Sequence, residues 1–230
     1  MDLTDEVIER PHGFKVGRKQ FYLYPPTLGK LYLQARLIES LQISQENLKT
    51  NSYLETLRLV NDKRETCCRI IAYNTCKTKD EVYNNILVER RISLFMKESD
   101  EDLATLMVMV VSSDKLPIYM KELGIDKERE KINQVMRIRD ESNTLSFGGL
   151  TIYGSLIGAA CEKYHWTFQY VVWGISYTNL RLLMADAITS ITLSDKERKR
   201  IHFSTEPESK KVNGNDKAAM EEFIKTHNFK

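Results

Sequence analysis

The sequence predicts a mainly α fold, a helical bundle with a small N-terminal β-hairpin. Three observations carry that expectation. Gly and Pro are scarce, at 10 and 5 of 230 residues, which disfavours a turn-rich β-sandwich. Hydrophobic residues make up 42% and charged residues 29%, the balance of a globular chain with a real core. Long stretches repeat apolar residues at helical spacing, and only one short stretch alternates.

That alternating stretch is the hairpin, over 14–24. Phe14 and Val16 alternate with polar residues, Gly17-Arg18-Lys19 makes a turn, and Phe21 and Leu23 alternate again. Pro25-Pro26 ends the second strand, because proline cannot donate to a ladder. Thr27 opens a helix with Leu28, Leu31, Ala35, Ile38 and Leu41 or Gln42 on one face. A second helix is expected over 51–73, with Leu54, Leu57, Val60, Cys67 or Cys68, and Ile71 inward. The N-terminal segment before the hairpin shows no helical pattern.

Two capping boxes follow, Thr78 to Glu81 and Ser99 to Asp102. In each a hydroxyl accepts an orphan backbone N–H while a carboxylate favours the positive helix end. They open helices over 79–97 and 100–112. Pro117 suits the first turn of a short helix that stops at Gly124, and Asp126 opens a charged helix to about Glu141. Thr144 to Gly149 reads as a loop, and helical periodicity resumes over Leu150 to Lys163. A short helix covers 167–173. Ser176 caps another, striped by Leu180, Leu183, Met184, Ala187, Ile188 and Ile191. Ser194 caps a last turn or two. One helical domain over 1–203 is expected. The polar stretch from Ser204 to Asp216 reads as a flexible tail, and Lys217 to Lys225 as a terminal helix formed alone or only on binding.

Bulk chemistry narrows the function classes. A net charge of +2 gives no global field toward nucleic acid or a membrane surface. Cys67, Cys68, Cys76 and Cys161 form no CxxC pair and read as reduced core thiols of a cytosolic protein. The first ten residues carry four acidic residues and no apolar run, unlike a secretory signal. Residues 142–161 lack charge over about the length of a span. Their hydroxyls and paired glycines suit a buried loop and a core helix better.

Catalytic and metal motifs are thin. Glu9–His12 and Glu162–His165 share the Glu-x-x-His spacing of di-iron helices, but the first contains Pro11. Cys161 and His165 sit four apart and lack two more zinc ligands. The run from Gly149 to Ser155 has phosphate-loop spacing without its lysine. Gly154 and Gly158 form GxxxG, read as close helix packing. No G-x-S-x-G elbow occurs. No catalytic residue, cofactor, metal or small-molecule substrate is therefore assigned, and no enzymatic activity is expected. Ile157 to Gly174 has helix–turn–helix proportions, yet its second helix offers Phe168, Tyr170 and Trp173 where base-reading side chains belong, so nucleic acid is disfavoured as a partner.

The most distinctive feature is the aromatic set Tyr164, Trp166, Phe168, Tyr170, Trp173 and Tyr177. It reads as a core corner or as a protein interface, and both readings stay open for different members. Trp166, Phe168, Trp173, Tyr177, Leu180, Leu183 and Met184 are accordingly the candidate protein-binding or core residues.

Two stretches carry a resemblance. "FKVGRKQFYLYPPTLGKLYLQARLIESL", residues 14–41, resembles the hairpin-then-helix opening of tail assembly chaperones of tailed phages and prophages. "CEKYHWTFQYVVWGISYTNLRLLMADAI", residues 161–188, is similar to a segment of some of the same proteins. There a short helix ends in Trp, a small turn follows, and a Leu-rich helix leads to an acidic residue. Here those positions are Trp173, Ile175-Ser176, Leu180 to Met184, and Asp186. The resemblance implies a non-enzymatic chaperone of the host cytoplasm that coats the long helical tape measure protein and self-associates. A structural virion or injection-apparatus component, using the hairpin edge for strand addition, is one alternative. A helical DNA-binding regulator is another.

Overall fold

The computed structural model describes residues 3–111, 116–138, 151–188, 190–191 and 193–200. It is mainly helical with one two-stranded antiparallel hairpin near the N-terminus. Contacts divide the chain into two units, Met1–Ile132 with Asn143–Ser190, and Asn133–Ser142 with Ile191–Lys230. The expected boundary near 203, the tail 204–216, the terminal helix 217–225 and the loop 144–149 lie outside the described residues.

In the first unit, a helix that the sequence reading lacked, α1 (Leu3–Val7), precedes strands β1 (His12–Val16) and β2 (Lys19–Leu23). The turn holds only Gly17 and Arg18, because Lys19 already pairs with Val16. Gly17 takes φ +55°, the left-handed region that a two-residue hairpin loop needs and glycine adopts freely. Phe14 and Phe21 are cross-strand partners, stacked 5.8 Å apart, and both meet Phe95 on the core side.

Helix α2 (Leu28–Ser40) starts at the expected Thr27 cap but buries a different face. Leu28, Gly29, Lys30 and Gln34 are inside, with Leu41 just past the end, while Ala35 is exposed. The buried stripe is thus turned by about one residue, or ~100°, from the apolar one. Polar pairing accounts for the turn. Asn74 Nδ2 donates to the buried Gln34 Oε1 at 2.9 Å and to Ile70 O at 2.9 Å. A short helix, α3 (Gln45–Thr50), also not foreseen, leads to the long α4 (Ser52–Asn74).

The main core forms around α4. Its Leu59, Val60, Cys67, Cys68, Ile70 and Ile71 pack with Leu103, Ala104, Leu106 and Met107 of α7 (Asp100–Val111). Leu54, expected inward, is 59% exposed; the inward positions of that turn are Glu55 and Thr56. Thr56 Oγ1 stays satisfied by donating to Ala104 O at 3.0 Å. A kink at Lys63 (φ −143°, ψ 52°) interrupts the helix, and the Lys63 ammonium donates to Ser40 O.

The expected helix over 79–97 is two, α5 (Lys79–Tyr83) and α6 (Asn85–Phe95). Asn84 separates them, leaving helical angles and accepting Leu87 N–H at 3.0 Å on its Oδ1. A short polar side chain offers the backbone this alternative partner, which apolar periodicity does not register. Helices α8 (Leu116–Glu122) and α9 (Ile125–Ile138) flank Gly124, whose φ of +71° makes the stop.

Residues 153–158 form a π-helix, not an α-helix, followed by α10 (Ala159–Tyr164). The glycine pair there does not serve close helix packing. Gly154 and Gly158 are exposed, and a Cβ on Gly158 would lie 2.9 Å from Tyr153 O, inside its own wide turn. His165 (φ +54°) turns the chain into α11 (Phe168–Trp173) and then α12 (Tyr177–Ala185). The expected stripe on α12 is corrected at its second half. The helix ends at Ala185, Leu183 is 40% exposed, Ile188 is 88% exposed, and Ile191 belongs to the second unit. Leu182 is buried in Leu183's place.

In the second unit, α13 (Asp195–Arg200) begins with a reciprocal cap. Ser194 Oγ accepts Glu197 N–H at 3.3 Å, and Glu197 Oε2 accepts Ser194 N–H at 2.7 Å. Among the described residues, no single helix is long and apolar enough to cross a membrane; α7 and α8 together meet that test only across a 52° bend.

A candidate binding groove

The N-terminal segment is fastened to α12. Ser176 caps that helix, its Oγ accepting Asn179 N–H at 3.2 Å. Ser176 N–H donates to Glu9 Oε1 at 2.8 Å. Asn179 Nδ2 lies 3.2 Å from Glu6 O, Val7 O and Glu9 Oε1, so one amide serves the end of α1 and a carboxylate two residues past it. Glu9 sits at φ +53°, a conformation disfavoured for a residue with a Cβ. These partners hold it there.

The clasp leaves a concave site of about 500 Å³ in the first unit. Val7, Ile8 and Glu9 form one wall, and Leu123 and Ile125, on either side of Gly124, form a second. Trp166 and Tyr170 contribute from the chain around α11, and Ile175, Asn179, Leu182, Leu183 and Asp186 from α12 and its flanks. Trp166 is fixed by stacking on Tyr164 at 4.7 Å and by an edge contact with Tyr170 at 5.1 Å. The Tyr164 hydroxyl donates to Leu183 O at 2.8 Å, tying the stack to α12.

Chemically the groove is apolar and open. Val7, Ile8, Leu123, Tyr170 and Leu183 expose between 40 and 56% of their surface around it. Contiguous exposed apolar side chains around a concavity are the signature of a binding surface. Glu9 and Asp186 are its carboxylates.

The structure divides the seven candidate residues. Trp166 and Leu183 line the groove. Trp173 is half-buried against the main core, its ring lying on Gly29 and 5.8 Å from Tyr83. Leu180 is fully buried in a second cluster with Leu28, Ile157, Ala160 and Val171, and Tyr177 and Met184 pack on its side. Phe168 is 54% exposed and does not line the groove. Sequence reasoning missed Val7, Ile8, Leu123 and Ile125, which no local pattern links to residues 166–186. Their common signal is apolar side chains beside turn positions, which is too weak to pick them out.

A second constellation gathers around the buried Lys30 and Cys76. Lys30 is 1% exposed, with its Nζ 5.6 Å from the Tyr24 ring centre. Burial pushes its ammonium down to about 8, an effect opposed by Cys76 and Glu81. Arg91 donates to Thr75 Oγ1 and Cys76 Sγ, each at 3.2 Å, and to Glu81. The buried thiols of Cys67 and Cys68 are pushed up to about 12 and about 11, mainly by desolvation, and stay protonated. Lys30 and Cys76 are sealed, while Arg91 and Glu81 reach partly to the surface. Among the described residues, no three His, Cys, Asp or Glu side chains converge on a metal position.

No family model matches this chain, and no curated protein or solved structure is significantly similar to it.

Proposed function

We propose that the protein is a non-enzymatic binding protein whose groove holds an amphipathic helix of a partner. In its most concrete form it is a tail assembly chaperone, shielding the apolar stripes of a tape measure protein in the bacterial cytoplasm and self-associating along it. The observation that carries this reading is the open apolar groove, where five exposed hydrophobic side chains surround one concavity. A helix laid into such a groove buries its apolar face at i, i+3, i+4 and i+7. Weak sites repeated along a long partner add up by avidity. The stretch 161–188, which carries half of the resemblance, supplies Trp166, Tyr170 and Leu183 to the groove.

The test uses the full chain and helical segments of a tape measure protein, with shuffled segments as controls. Binding is read by fluorescence anisotropy. Saturable binding of the native-order segments is expected, weakened at least tenfold in Leu183→Asp and Tyr170→Asp, which place a charge in the apolar site. Equal binding of shuffled segments, or none at all, sinks the proposal.

A further inference from the structure

Resting on that groove reading, we infer that the partner helix is cationic beside its apolar stripe, with a Lys or Arg set against Asp186 at the groove's edge. Among the described residues the lining contains two carboxylates and no Lys, Arg or His. The two carboxylates differ in what the fold does with them. Glu9 lies at the N-terminus of α12, accepts Ser176 N–H and Asn179 Nδ2, and is favoured there by the positive end of the helix dipole. Its charge has a structural use. Asp186 has none. It follows the last residue of α12, where backbone carbonyls face outward and a negative charge is disfavoured. None of the ion pairs among the described residues includes it, and the Lys163 ammonium donates to Ile188 O at 2.9 Å. Among the described residues, carboxylate and helix end therefore sum to a negative potential at the rim of an apolar site, which Lys163 meets at Ile188 O and not at the carboxylate. A cation on an incoming helix relieves that potential, whereas an acidic flank meets repulsion, so the charge selects among apolar helices as well as adding affinity.

Two synthetic helices test this with the full-length protein. They share one apolar stripe and differ only in carrying Lys or Glu beside it, and binding is read by anisotropy at low and high salt. The Lys helix is expected to bind about fivefold more tightly, a preference that shrinks with salt. Asp186→Asn removes the preference at unchanged melting temperature, and Asp186→Lys reverses it. Equal binding of both helices to the wild type, or a preference that survives Asp186→Asn, overturns this inference and leaves the groove reading standing. If neither helix binds, the groove reading itself fails. Concentration-dependent self-association that Tyr170→Asp abolishes would assign the groove to a second copy and overturn the cationic partner.

Discussion

Lys30 carries an ammonium into the interior on the buried face of α2, and none of the ion pairs among the described residues includes it. Its folded pKa, lowered by burial to about 8 from 10.5, means that the unfolded chain binds the extra proton between those values. Stability from this group therefore rises with pH through that window, and below pH 8 the folded state bears the full penalty. Lys30→Met is expected to stabilise the protein by about 2–3 kcal/mol at pH 7, with the gain gone above about pH 10.5. Urea titrations of both proteins at pH 7 and pH 10.5 check it; a destabilised variant at pH 7 would show that the ammonium is used. Glu55 is the opposite case. Ser44 N–H, Asn47 and Arg58 all donate to its carboxylate, and the Arg58 pairing above all holds it down to about 2. Its contribution is complete above the unfolded value of 4.5 and is lost as pH falls toward 2. Because Arg58 is half exposed, the expected loss in Glu55→Gln is only about 1–2 kcal/mol at pH 7, shrinking to nothing near pH 2. A loss that does not change over that range would argue against the ionic origin.

At the scale of elements, the helix caps were legible and the buried faces less so. Thr27, Thr78, Ser99, Ser176 and Ser194 each accept or exchange the cap hydrogen bond that their side chains announce. Caps are local chemistry, so sequence reveals them. Which face of α2 turns inward depends on distant partners: Asn74 for Gln34, and Trp173 for Gly29. The same holds at Asn84, where a cap inside a periodic run divides one expected helix into two. Gly29 gives this a test. A Cβ there would lie 2.6–2.8 Å from three carbons of the Trp173 ring, a rigid neighbour with little room to give. Gly29→Ala would gain about 1 kcal/mol of helix propensity on an open surface. Here overpacking of about 1–3 kcal/mol opposes it, and net destabilisation is expected. In a Trp173→Leu background the same substitution should become neutral or favourable, and the double-mutant cycle measures that coupling. No coupling would mean that the ring does not rest on Gly29 in solution.

Across the whole molecule, the groove was the least legible feature, because its walls are far apart in sequence. The aromatic set drew attention to Trp166 and the apolar stripe to Leu183, but the facing wall comes from Val7, Ile8 and Glu9, where the sequence showed no helical pattern. The link is Glu9 and Asn179, separated by 170 positions. Pairing of that range does not show in any local window. It also makes the N-terminal wall the more weakly held part, since Val7 and Ile8 are more than half exposed, while Leu3 packs on Tyr119, Ile125 and Leu182 and hydrogen bonds to Ser176 and Asn179 fasten the segment's end. Glu9→Ala takes the acceptor from Ser176 N–H, leaves the Asn179 amide with Glu6 O and Val7 O alone, and removes the anion from the helix N-terminus. A loss of about 1–2 kcal/mol in stability is expected. Binding should suffer more than stability, because one wall of the groove is no longer held. Hydrogen exchange reads this directly: amides of residues 3–9 should exchange much faster in the variant, while those of α4 keep their protection. Unchanged protection near the N-terminus, together with full helix binding, would mean that the wall is held by packing and that the clasp is incidental.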